Sequence, residues 1–225
     1  MCRPTVGVVG VASPSLSVPP ETAIGDATHL LVFASSALAE QRTPRAAEIT
    51  DTESRVSGIS FTDLDLDMQD LSGDVSWLQP TSRDFVSTYV IYLAFDPVGS
   101  GRSQLNEVPL DTNLITIPPD TKSGNRQFLL VYAKSVLAEQ TTPASFAISD
   151  VVAMASNVTF EDFDLDASDI GGNLTWVAAE NEAYVQHYVV YLAISCNISN
   201  SSEAATLLSG SAALTVEGPL QSSGA

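Results

Sequence analysis

The sequence predicts an all-β protein made of tandem antiparallel Greek-key β-sandwiches of about 99 residues, one complete and two partial. Three observations lead there. The chain is self-similar at a constant offset, its apolar residues alternate in short runs, and turn residues interrupt those runs with no sustained 3.6-residue period.

The offset comes first. GISFTDLDLDMQDLSGDVSW, from Gly58 to Trp77, recurs as NVTFEDFDLDASDIGGNLTW, from Asn157 to Trp176, 99 positions later. Val18 to Pro44 recurs as Ile117 to Pro143 at the same offset of 99, without insertion. That register also sets Arg3 on Arg102, Asp51 on Asp150, Tyr89 on Tyr188, Tyr92 on Tyr191 and Val108 on Leu207. Residues 2–51 then hold the second half of a unit, 52–150 a complete one, and 151–225 the first two thirds of another. Met1 falls mid-unit, so the chain is expected to be a piece of a longer array or an abridged gene product.

Along the complete unit, Asp63, Asp65 and Asp67 alternate with apolar residues and predict a first strand. Val75 and Trp77 alternate with Asp74 and Ser76 in a second, which ends at the turn Gln79-Pro80-Thr81-Ser82. Tyr89, Ile91 and Leu93 alternate with Val90, Tyr92 and Ala94 ahead of the turn Pro97-Val98-Gly99-Ser100-Gly101. Ile115 and Ile117 flank Thr116 before Thr121-Lys122-Ser123-Gly124-Asn125, and Leu129, Val131 and Ala133 form a further alternating set. Seven strands are expected, with Trp77, Tyr89, Ile91, Ile117 and Val131 in the core.

These segments resemble the fibronectin type III-like, or immunoglobulin-like, sandwich. Val75-Ser76-Trp77-Leu78-Gln79-Pro80 is similar to that family's second strand with its core Trp, and Tyr89-Val90-Ile91-Tyr92 to its third. Ile117-Pro118-Pro119-Asp120-Thr121 resembles the turn before the sixth strand, and Val131-Tyr132-Ala133 that strand. Copies stand at Val18 to Thr22, Val32 to Ala34, Leu174 to Trp176 and Tyr188 to Tyr191. The family's corner Tyr is replaced by Gln127 or Phe128 in the complete unit and by Thr28 or His29 in the first. The segment Leu-Ala-Glu-Gln-x-Thr-Pro, at 38–44 and 137–143, is not general in that family and is similar to uncharacterised repeat proteins of protists. The resemblance implies many tandem copies and no particular chemistry.

Composition narrows the function. The 225 residues carry 9 Lys and Arg against 27 Asp and Glu, a formal charge of −18, and no Lys or Arg follows position 134. Nucleic acid is excluded as a partner, because affinity for phosphate rests on basic side chains displacing counterions. No stretch reaches the roughly 18 apolar residues of a membrane helix. The apolar run Val6 to Ala12 is short and carries two glycines, which makes a poor signal-peptide core. Cys2 and Cys196, the only two cysteines, make neither a disulfide framework nor a zinc site.

The acidic residues are the candidate chemistry. Asp63, Asp65 and Asp67 recur as Asp162, Asp164 and Asp166; on a strand such carboxylates would share one face about 7 Å apart. Together with Asp150 at the unit boundary they suggest calcium, and no other cofactor; the competing reading is a solvated edge that discourages strand pairing. An EF-hand does not fit, since its glycine position counted from Asp63 holds Met68, and the copy has Ala167. The same acids in both copies argue against a glycosidase pair. His29 and His187 are not repeated, and no nucleophile elbow is visible, so no catalytic residue is expected. Asn157, Asn173, Asn197 and Asn200 head N-glycosylation sequons, which favours an extracellular or cell-surface location.

The expected role is a non-enzymatic structural or interaction module of a secreted or cell-surface repeat protein. Its partners would be other proteins or further copies of the unit, with self-association through the incomplete end units. A calcium-dependent or carbohydrate-binding adhesion module, or accessory repeats of a larger enzyme, are the alternatives.

Overall fold

The computed structural model describes residues 4–193, which contain eleven β-strands and no helix. The chain divides into two compact units, Met1–Val151 and Val152–Ala225. In the first unit β1 (His29–Val32) and β2 (Arg45–Glu48) form a two-stranded antiparallel sheet. Next come β3 (Ser57–Phe61), β4 (Asp70–Leu78), β5 (Thr88–Ala94), β6 (Ser103–Pro109), β7 (Leu114–Lys122), β8 (Phe128–Lys134) and β9 (Ala144–Ala147). They make two antiparallel sheets, ordered β3-β4-β7 and β6-β5-β8-β9.

The strand patterns explain why these two sheets face each other. On β4 the alternation buries Val75 and Trp77 and turns Asp74 to solvent. Phe61, Leu71, Val75, Trp77, Ile115 and Ile117 from one sheet pack with Tyr89, Ile91, Leu93, Val108, Leu129, Val131 and Ala133 from the other in one core. Side chains that alternate along facing strands meet in this way, giving a sandwich-like architecture. Trp77, 1% exposed, meets Tyr89 edge-to-face with ring centroids 5.7 Å apart. All five residues expected in the core are buried. The outer face of the larger sheet adds a smaller cluster of Ala94, Leu130 and Tyr132, flanked by Tyr92 and Phe128.

Two segments differ from expectation. The first strand ends at Phe61, so Asp63, Asp65 and Asp67 lie in the loop that follows it. Pro118 and Pro119, expected in a turn, lie within β7. The β4–β7 register shifts between the pairs Leu71↔Thr121 and Gly73↔Ile117, so the two prolines occupy a bulge on an edge strand, where a missing N–H costs no ladder bond. Gly73 belongs to the same irregularity: its φ is +127°, and a Cβ there would stand 2.5 Å from the Thr62 carbonyl oxygen.

In the second unit β10 (Ser156–Asp162) pairs with β11 (Gly172–Val177). Its register shift between Ser156 and Thr159 corresponds, 99 residues on, to that of β3 between Ser57 and Ser60. Trp176 meets Tyr188 edge-to-face at 5.6 Å, as Trp77 meets Tyr89. One difference has a chemical cause. The Tyr188 hydroxyl accepts from the Ala179 amide at 2.9 Å, whereas the equivalent position 80 is a proline without an N–H, and the buried Tyr89 hydroxyl has no partner.

Candidate functional site

The acidic loop 62–69 joins β3 to β4. An aspartate side chain readily accepts from the amide two residues on, and such bonds take the backbone out of the extended form. Asp63 Oδ1 accepts from the Asp65 amide at 3.1 Å, and Asp65 Oδ1 from the Asp67 amide at 3.2 Å. This is the physical reason that alternating Asp residues make a loop here and not a strand.

The same carboxylates also reach across the fold. Asp63, 2% exposed, accepts from the Ser72 amide at 3.0 Å through Oδ1 and from the Val151 amide at 3.0 Å through Oδ2. Asp65 Oδ2 accepts from the Asp120 amide at 2.8 Å, and Asp150 Oδ2 from the Gln69 amide at 2.9 Å. Asp63 and Asp150 are therefore staples: they satisfy backbone donors at the point where the chain leaves the unit, and their oxygens are turned to that task. In the copy, Asp162 closes β10, and Asp164 and Asp166 follow it in a loop. Asp162 Oδ1 accepts from the Asp164 and Gly171 amides, both at 3.0 Å, and Asp164 Oδ1 from the Asp166 amide at 2.9 Å. These bonds match those of Asp63 and Asp65 at the 99-residue offset.

Two carboxylates of the first loop and one at the start of β4 converge. Asp65, Asp67 and Asp70 each place an oxygen within 4.8 Å of the others. Asp70 opens β4 and had no part in the alternating pattern; the available signal was its recurrence as Asp169. One of its oxygens accepts from the Lys122 ammonium at 2.6 Å, an ion pair that raises the Lys122 pKa.

The Leu-Ala-Glu-Gln segment has a structural explanation. Gln140 clamps Ala133 twice, its side chain accepting from the Ala133 amide at 3.2 Å and its amide donating to the Ala133 carbonyl at 3.0 Å. Ser135 Oγ accepts from the Leu137 and Ala138 amides. Gln41 and Ser36 repeat these contacts 99 residues earlier with Ala34, Leu38 and Ala39. Glu139 is half-buried, paired with Arg102 at 2.8 Å and accepting from the Tyr92 hydroxyl at 2.8 Å. Arg102 lies over both Tyr92 and Tyr132, 4.6 and 4.7 Å from the ring centroids.

Burial, and next the bond to the Glu139 carboxylate, push the Tyr92 phenol up to about 12. An unfolded tyrosine titrates near 10, so at higher pH the folded chain holds a proton that the unfolded chain has lost. Tyr92 thus contributes stability that is complete below about pH 10 and is lost as pH rises toward 12. Tyr92→Phe should flatten the alkaline stability profile in that window, read by denaturant unfolding at stepped pH.

Asn157, on β10, and Asn173, on β11, are both exposed. Asn197, Asn200, Cys2 and Cys196 lie outside the described residues. His29 and His187 are exposed; His29 Nδ1 hydrogen-bonds the neighbouring Thr28 hydroxyl at 2.8 Å. Among the described residues no helix is long and apolar enough to cross a membrane. No protein-family model, no curated protein and no solved structure matches the chain.

Proposed function

We propose that this chain is a non-enzymatic structural or interaction module of a cell-surface or secreted repeat protein, built from fibronectin type III-like units. The observation that carries the reading is the recurrence, 99 residues apart, of one hydrogen-bonding framework. The Asp63 and Asp162 loops share it, as do the Gln140 and Gln41 clamps. A framework held constant while the exposed residues change is how repeat proteins multiply one fold to span distance and vary contacts. The strand order β3-β4-β7 against β6-β5-β8-β9, with Trp77 between the sheets, supports the family resemblance.

Partners in this reading are other proteins or further copies of the unit. Leu30, Leu31 and Val32 on β1, and Phe160 and Trp176 on β10 and β11, are exposed apolar side chains suited to such contacts.

Two measurements test the proposal. Stretched singly, a spacer unit of 99 residues should release about 30 nm of chain in one abrupt step, since extended chain spans about 3.3–3.6 Å per residue. Gradual extension without a step would count against a load-bearing unit. Secreted from a eukaryotic cell, the chain should carry glycans on Asn157 and Asn173, read by peptide mass after enzymatic deglycosylation. Secreted chain unmodified at both positions would remove the sequons' support for the extracellular assignment.

A further inference from the structure

We propose that Asp65, Asp67 and Asp70 form a calcium site in which the ion competes with the ammonium of Lys122. A group of acids at a surface is common and proves nothing alone; here the second observation is Asp70. Its side chain is 6% exposed, Oδ2 is held by Lys122, and Oδ1 is fully buried with no hydrogen-bond partner. A buried carboxylate oxygen without a donor carries a desolvation cost that the fold leaves unmet, and a cation meets it directly.

The charges agree. Three carboxylates converge and the Lys122 ammonium pairs with one of them, Asp70, so these four groups alone sum to −2, which a divalent ion cancels. The ammonium is a loose occupant, since the Lys122 side chain is 73% exposed. Asp120 adds a further acid acting on Lys122. The ligands are all oxygens, borne by an irregular loop and the start of one strand, with Asp67 exposed to solvent. Calcium accepts variable geometry and completes its shell with water, whereas magnesium demands a near-ideal octahedron, so calcium is the expected ion. Asp63 is not among the carboxylates that converge here.

The test uses the full chain carrying Asp166→Asn, which removes the equivalent exposed acid of the second loop. Calcium chloride titrated calorimetrically should bind with half-saturation at about 10⁻⁴–10⁻³ M, the range of extracellular modules. At 10 mM it should raise Tm by about 5 °C through preferential binding to the folded state. Adding Asp67→Asn, at an exposed position that does not threaten folding, should weaken binding at least tenfold. Adding Lys122→Gln instead should tighten it several-fold, because the competing cation is gone, and a residue with a merely structural role would not produce that gain. The proposal is overturned by the absence of binding up to 10 mM in both the Asp166→Asn chain and its Lys122→Gln derivative. It is equally overturned by undiminished affinity in Asp67→Asn. An equal response to magnesium would also overturn it, showing general charge screening.

Discussion

Trp77→Ala should lower the unfolding free energy of the complete unit by about 3–5 kcal/mol, the cost of removing a large aromatic from a packed core. The ring is 1% exposed and stands between the two sheets, so the void would be lined by Tyr89 and its neighbours and could not drain to solvent. Denaturant unfolding followed by far-ultraviolet circular dichroism measures the loss without depending on the deleted fluorophore. The chain contains its own control: Trp176, in the same motif, is 37% exposed. Trp176→Ala should cost about 1 kcal/mol or less. Equal costs at the two positions would show that the sandwich core does not depend on Trp77.

Asp63→Ala should be about as damaging, although it deletes a charge and leaves no large void. Three backbone amides, those of Asp65, Ser72 and Val151, would lose their acceptor in a buried setting. Bonds to a charged acceptor are worth about 1.5–3 kcal/mol each before water and relaxation recover part of the loss, and a net cost of about 3–5 kcal/mol is expected. Asp162→Ala removes two such bonds from an exposed loop, where water replaces the carboxylate, and should cost under about 1 kcal/mol. Parallel denaturant titrations of the two variants give the comparison. A cheap Asp63→Ala would return the acidic loop to the status of a solvated edge.

Much of the fold is legible in the sequence because its strands obey the two-residue period that the core requires. Val75 and Trp77, Tyr89 and Ile91, Leu129 and Val131 alternate, and the constant 99-residue offset shows which positions play the same part twice. The acidic loop misleads for the same reason. Asp63, Asp65 and Asp67 also alternate, but a side chain that bonds the amide two residues ahead repeats every second residue just as a strand does. Prolines 118 and 119 were legible as a break but not as a bulge, since only the pairing with β4 distinguishes the two. At the candidate site, two of the three converging acids stood in the pattern. Asp70 did not, and its partner Lys122 lies 52 residues away, a distance no local periodicity spans.

The bond between the Val151 amide and Asp63 has a consequence for biosynthesis. Its two ends are 88 residues apart, and the bond from Arg55 to the Pro143 carbonyl spans the same separation. At about 5–20 residues per second, the ribosome takes some 4–18 s to add the stretch between them. Through that interval a nascent unit carries a buried-type carboxylate with one acceptor oxygen still waiting, and its opening loop cannot be sealed. Release of Val151 from the exit tunnel both completes one unit and begins the next, so translation itself imposes the order in which successive units close.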